Sequence, residues 1–373
     1  MVTTYSITNT GCDSLEYDSE AIKNIIELQY RLRTETIDKA DIIIYFGCSY
    51  SENMEERFIK NIKEILNNYK NKLIIISGCY LRKYVKHSNV VFVRKENVCE
   101  ILEKHLRKGK RSSSHYIAQK NKKSPIIAIS EGCYSNCTYC SVKLVRGTHV
   151  SRPVDAILSD IEDALLNHDT VRFVGQDVSA YGHDCSLTLG KLLLSVFKRF
   201  GALKIELGTL NPRWLINANT EDLDLLAHQN VVGNIHLPLQ SASNDMLNLM
   251  NRGYTYEEFK SLLSQLSDLG IKKFSTDLIA GFPGETSGDH ERSLSFLREY
   301  KLEFAQIFMY EPRPGTIAAD KVQLPRETRL ERTLELIAEY VASYMKHQGI
   351  IKRTNCAENI APFNSNLILE EER

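Results

Sequence analysis

The sequence predicts an α/β protein in two parts: a small parallel sheet with its helices at the N-terminus, then an open, partial barrel of six strand–helix units. Three observations predict it. Short apolar, β-branched runs alternate with helix-periodic segments through the first hundred residues. Six further strand candidates follow residue 124 at spacings of roughly 30 to 45 residues, with helical patterns between them. Between the two regions lies a basic, serine-rich stretch that is poor in apolar residues.

In the first region, TTYSITNTG reads as a strand, and a helix is expected from about Glu20 to Arg33. The apolar run Asp41–Phe46, a second helix over roughly Asn53–Tyr69 and the strand Leu73–Ile76 follow. Each of the three strands is followed by the same dipeptide, Gly11-Cys12, Gly47-Cys48 and Gly78-Cys79. Ligand sites of open parallel sheets lie beyond the carboxyl ends of the strands, and glycine there lets backbone come close, so the three thiols are expected at one edge.

Residues 104–123, KHLRKGKRSSSHYIAQKNKK, carry eight Lys or Arg and no acid, and they read as a linker between domain 1–103 and domain 124–348. Such a run is ordinarily a solvated linker, and its functional reading is contact with RNA phosphates. The barrel strands are expected at 126–130, 171–175, 204–208, 234–239, 273–280 and 305–310, with a final amphipathic helix at Arg326–Met345. Residues 349–373 are too few for another independent domain.

The chain has 373 residues, 43% of them hydrophobic and 25% charged, which is ordinary for a folded protein and excludes a disordered or collagen-like one. Lys and Arg balance Asp and Glu at 47 each, so only a local basic patch could draw nucleic acid. No apolar run reaches the roughly 18 residues of a membrane helix, and the first residues lack a signal-peptide layout, so a cytoplasmic protein is expected. In a reducing compartment nine cysteines serve metal binding, reactivity or packing sooner than disulfides.

The segment IIAISEGCYSNCTYC sets Cys133, Cys137 and Cys140 in a loop just after a strand. Structural zinc takes four protein ligands, and no fourth cysteine or histidine stands at short range. Three thiolates suit a [4Fe–4S] cluster with one open iron, a position that S-adenosylmethionine can occupy. Three core cysteines would want apolar surroundings, and these are polar.

The pattern Cys-x-x-x-Cys-x-x-aromatic-Cys, with Tyr139 at the aromatic position, resembles the signature of the radical SAM superfamily. EGCYSNCTYCSVKLVRGTHVSRP, FVGQDVSAYGHD, HLPLQSASNDMLNLMNRGYT, TDLIAGFPGET and EPRPGT narrow the resemblance to the methylthiotransferases, from Cys12 to about Gly315. Two positions depart from the family pattern: Leu15 stands where Asn is usual, and Phe46-Gly47 where Asn-Thr is frequent.

The resemblance implies a radical SAM barrel and two [4Fe–4S] clusters, one on Cys133, Cys137 and Cys140 and one on Cys12, Cys48 and Cys79. It implies S-adenosylmethionine both as source of a 5′-deoxyadenosyl radical and as methyl donor, and an external electron donor such as flavodoxin or ferredoxin. Both clusters must then face one cavity. Residues expected to touch S-adenosylmethionine are Tyr139, Gln176, Asp177, Glu206, Gln240 and Ser241, although buried polar residues at strand ends are often simply hydrogen-bonded structure. GFPGET lacks the Gly-Lys-Ser/Thr ending of a phosphate loop and reads as a barrel turn. Cys99, Cys185 and Cys356 are assigned to packing or surface.

Family members act on an adenosine near the tRNA anticodon or on a protein or peptide side chain. The basic linker favours tRNA, with C2 of a modified adenosine as target, and the alternative is a protein or peptide β-carbon. Gln176-Asp177 followed by Tyr181-Gly182 resembles the members acting on a ribosomal-protein aspartate or on threonylcarbamoyl-adenosine. Many members end in a β-barrel TRAM module, which residues 349–373 are expected not to form. Two further readings are a single-cluster radical enzyme and a non-catalytic metal-binding module.

Overall fold

A computed structural model describes residues 3–10, 12–30, 32–80, 85–106 and 124–348. Most of the basic linker, the tail 349–373 and Cys356 fall outside the described residues.

The N-terminal region contains β1 Thr4–Asn9, α1 Asp13–Ile25, β2 Arg33–Thr34, β3 Ile42–Cys48, α2 Glu52–Asn68, β4 Leu73–Cys79, β5 Val90–Phe92 and α3 Val98–Leu106. Its five strands form one sheet in the order β2-β1-β3-β4-β5, every pair parallel. The central strand β3 is buried on both faces, which is why it reads as an unbroken apolar run instead of an alternating one. Ile42, Ile44 and Phe46 join the core beneath α1 and α3, while Ile43 and Tyr45 join Phe58 and Ile62 of α2 on the other face.

The first helix departs from expectation by starting at Asp13 instead of about Glu20. Cys12 is its N-cap residue, Asp13 and Glu16 place acids in the first turn where the helix dipole favours them, and Leu15 is fully buried. The helix then widens into a π turn at Ile26–Tyr30.

The two glycines before Cys48 and Cys79 have steric causes. A Cβ at Gly47 would lie 2.0 Å from the Phe58 ring, and Gly78, at φ +110°, would put a Cβ 2.3 Å from the Gly47 carbonyl oxygen. Leu15 packs into the same corner, 3.1 Å from that Gly78 position, so an apolar residue fills the place where Asn is common in the resembled family. Gly78→Ala is expected to lower unfolding stability by about 1–3 kcal/mol, the cost of a strained backbone with an added clash, read as a fall in melting temperature. A variant melting with the wild type would show that this edge relaxes freely.

The second region contains β6 Ile126–Ala128, β7 Ser130–Glu131, α4 Val142–Arg146, β8 Val150–Ser151, α5 Val154–Leu165, β9 Thr170–Val174, α6 Leu189–Phe200, β10 Lys204–Leu207, α7 Pro212–Ile216, α8 Thr220–Leu226, β11 Val231–Val232 and β12 Ile235–His236. It continues with α9 Asn244–Leu249, α10 Tyr256–Asp268, β13 Phe274–Ala280, α11 Ser287–Glu299, β14 Phe304–Met309 and α12 Arg326–His347. The main strands form two parallel sheets, β11-β10-β9-β6 and β12-β13-β14, bridged where Leu210 N–H donates to His236 O at 3.0 Å. These seven strands make an open barrel with a seam, and the largest core lies between the strands and the outer helices.

The strand expected at 234–239 shrinks to Ile235–His236. Pro238 has no N–H to give the ladder, and Gln240 stands at φ +76°, outside strand geometry. The segment expected as the strand 126–130 divides into β6 and β7, and β7 pairs antiparallel with β8. No described helix is long and apolar enough to cross a membrane.

Candidate active site

Because β1, β3 and β4 are adjacent and parallel, their carboxyl ends share one edge. Cys48 and Cys79 are register partners there, on strands about 4.8 Å apart. Cys12 caps α1 just after β1. Burial pushes the Cys48 thiol up to about 12, and proximity to Cys79 and Cys12 adds to the rise.

Cys133, Cys137 and Cys140 lie on the loop between β7 and α4. Gly132, at φ +72°, lets Cys133 pair with Thr148 and donate to Gly147 O at 3.2 Å. Thr138 pins the loop's far side, its N–H donating to Met250 O at 3.1 Å and its hydroxyl to Leu249 O at 2.7 Å. Burial raises Cys133 to about 11 and Cys140 to about 12, with neighbouring thiols of the same loop adding to each.

Two arginines that sequence reading did not assign meet these thiols. Arg252, 5% exposed, donates from Nη1 to Cys137 Sγ and to Tyr139 Oη, both at 3.3 Å, and from Nη2 to Pro238 O at 2.7 Å. Arg146 donates from Nε to Cys79 Sγ at 3.0 Å and pairs with the buried Asp18. Both lie within segments that carried the family resemblance, as the Arg-Gly pairs of LVRGTHV and MNRGYT. Their roles could not be read there, because the partner thiol is remote in sequence.

The cysteine edge is clamped over the barrel mouth. Arg313 of the EPRPG segment bonds Ser49 O and reaches Glu55 at 3.0 Å, Arg172 pairs with Asp13 at 3.1 Å, and Lys95 joins Asp18 at 2.9 Å to Glu131 at 2.6 Å. Tyr50, two residues beyond Cys48, stands 42% exposed at this edge. Arg146, on the helix that follows Cys140, bonds Cys79, so the two cysteine sets lie on facing elements.

The residues expected to touch S-adenosylmethionine divide. Gln176 and Gln240 each keep a buried side-chain oxygen without a partner, and so does Asp277, which sequence reading missed. Asp177 is engaged by the fold: it accepts from Ser179 Oγ at 2.7 Å, Ala180 N at 3.2 Å and Trp214 Nε1 at 2.7 Å. Ser241 is fully buried and accepts from Ser243 N at 3.3 Å. Glu206 sits mid-strand, half-buried opposite Arg172 in register, on the face away from Ile205 and Leu207. Tyr139 packs its ring edge-on to Phe282. GFPGET forms the turn from β13 to α11, closed by Gly281 N–H donating to Glu285 at 2.9 Å. Cys99 packs against the N-terminal core, and Cys185 is exposed.

Two groups of three cysteines, with the Cys48, Cys79, Cys133 and Cys140 thiols raised by burial and an arginine on one sulfur of each group, fit a larger cationic centre that draws off thiol protons, which is the chemistry of an iron–sulfur cluster.

Residues 127–297 match the Radical SAM superfamily, and residues 4–90 match the uncharacterized protein family UPF0004. A tRNA-2-methylthio-N(6)-dimethylallyladenosine synthase of Wolbachia pipientis subsp. Culex pipiens is 31% identical over 364 residues, 87% of this chain and 81% of that protein. The chain belongs to the radical SAM methylthiotransferase family. It is an enzyme of that class, with S-adenosylmethionine and two [4Fe–4S] clusters as cofactors. A threonylcarbamoyladenosine tRNA methylthiotransferase of Danio rerio is 30% identical over 88% of this methylthiotransferase and 64% of its own length. Among solved structures, the cobalamin-dependent S-adenosylmethionine radical enzyme OxsB shares the fold, with a TM-score of 0.57 at 14% identity over 91% of this chain and 56% of that one.

Proposed function

We propose that this enzyme adds a methylthio group at C2 of a modified adenosine in tRNA, with Cys133, Cys137 and Cys140 holding the cluster that binds S-adenosylmethionine and Cys12, Cys48 and Cys79 holding the second. On this reading residues 1–103 form the sulfur-donating domain and residues 124–348 the radical barrel. The carrying observation is that Arg146 of α4, the helix that begins just after Cys140, donates to Cys79 Sγ at 3.0 Å, which sets the two groups of cysteines on facing elements. Bound there, the clusters and S-adenosylmethionine supply a carbon-centred radical, the sulfur and the methyl group, given an electron from an external donor such as flavodoxin or ferredoxin.

The chain's own residues orient and shield. Arg252 sets the Cys137 and Tyr139 side chains from the buried side, and the unpartnered oxygens of Gln176, Gln240 and Asp277 are acceptors for the ammonium and hydroxyl groups of S-adenosylmethionine. The clamps at Arg146, Arg172 and Arg313 hold the N-terminal sheet over the mouth and keep water from the reacting atoms. The choice of tRNA is supported by the relatives, which are named for modified adenosines in tRNA.

The test is product mass. Reconstituted enzyme, reductant and S-adenosylmethionine are incubated with tRNA lacking the modification, and digested nucleosides are weighed. An adenosine gaining one methylthio group is expected. The same gain on a peptide digest, with tRNA unchanged, would overturn the substrate, and a gain without sulfur would overturn methylthiolation.

A further inference from the structure

Beside the cysteine loop, the stretch between β7 and β8 and the segments after β9 and β10 bring four aromatic rings and a guanidinium together at the barrel rim. Tyr134, next to Cys133, meets the chain's single tryptophan, Trp214, edge-on at 5.4 Å and 87°. His183 lies 4.5 Å from Trp214 and 6.2 Å from Tyr134, and His149 lies 6.3 Å from Tyr134. Arg213 covers the Trp214 ring at 5.2 Å.

The group is held from beneath by the site's own hydrogen bonds. Trp214 Nε1 donates to Asp177, which also caps the turn after Gln176. Asn211, the N-cap of α7, donates to Ser135 Oγ at 3.0 Å and so ties the Trp214 helix to the residue after Tyr134. Yet Tyr134 remains 43% exposed and His183 is exposed. A tyrosine whose only function was packing would turn its ring into the core.

Open π-faces beside a guanidinium match a base of single-stranded RNA, which stacks on the rings while its phosphate meets the cation. An aliphatic or acidic peptide side chain gains nothing particular from a flat ring. We infer that Tyr134, His183 and Trp214, with Arg213, form a cradle that stacks an unpaired base of the RNA substrate beside the base to be modified. The inference rests on the tRNA reading above, and it adds a binding site made by the barrel's own loops.

The test uses the reconstituted holoenzyme and a labelled anticodon stem-loop RNA, with affinity read by fluorescence anisotropy across a salt series. Tyr134→Leu is expected to weaken binding about 5- to 100-fold, the loss of one stacked base, with the slope of log affinity against log salt unchanged because no phosphate contact is lost. Tyr134→Phe keeps the ring and should bind like the wild type. Arg213→Gln should weaken binding and reduce that slope by about one.

Iron content and S-adenosylmethionine binding, measured on each variant, should match the wild type. Wild-type affinity in Tyr134→Leu, or equal losses in the Leu and Phe variants, would overturn the cradle while leaving tRNA as substrate. Loss of S-adenosylmethionine binding with RNA binding intact would assign the rings to that cofactor and overturn it as well. If the wild type binds the RNA without salt sensitivity or not at all, the tRNA reading falls first, and the cradle with it.

Discussion

The triple variant Cys133→Ala, Cys137→Ala, Cys140→Ala is expected to lose all reductive cleavage of S-adenosylmethionine and to keep about four irons per reconstituted chain, against about eight in the wild type. The complementary variant, Cys12→Ala, Cys48→Ala, Cys79→Ala, should also keep about four irons and still release 5′-deoxyadenosine, but add no sulfur. The asymmetry follows from position. The first set lies on a loop of the barrel, whereas the second stands at the edge of a separate sheet. Iron assay, chromatography of 5′-deoxyadenosine and product mass read the three quantities separately. Full iron in both variants would sink the assignment of two clusters to these six cysteines.

Arg146→Ala should be the most damaging single change outside the cysteines. The side chain is 8% exposed and ties three things together: Cys79 on the N-terminal sheet, Asp18 on α1, and α4, which begins two residues after Cys140. Removing it leaves the Asp18 carboxylate, 3% exposed, with Lys95 as its remaining ion-pair partner. Breaking a buried pair in this way costs about 3–5 kcal/mol, and the lower end applies because Lys95 stays. The expected result is a clearly lower melting temperature and looser seating of the N-terminal sheet, seen as faster hydrogen exchange in α1. Arg146→Lys should recover only part, since an ammonium lacks the planar fork that serves a sulfur and a carboxylate together. An alanine variant as stable as the wild type would show that the bridge contributes nothing.

Much of this molecule was legible in the chain because its signals are local. A β-branched run such as IIIYF can only be a strand buried on both faces, and three Gly-Cys endings on adjacent parallel strands must share an edge. The spacing of Cys133, Cys137 and Cys140 is likewise a property of one short loop. The errors came where a distant residue decided a local outcome. Helix α1 starts early because Leu15 is needed in the corner beside Gly78, and strand β12 stops short because Gln240 turns to a positive φ to pair with β13.

The sequence by itself therefore determined the two sheets, the two cysteine sets and the chemical class. Only the tertiary structure decided which charged and polar groups meet them. Arg146 reaches Cys79 across 67 positions, and Arg252 reaches Cys137 across 115. Asp177, expected at the cofactor, is held by Trp214 and its own turn, while Asp277 keeps one buried oxygen without a partner. The physical reason is that a backbone pattern is written in neighbouring residues, whereas a buried charge is placed by whatever partner the closed fold brings within hydrogen-bonding distance.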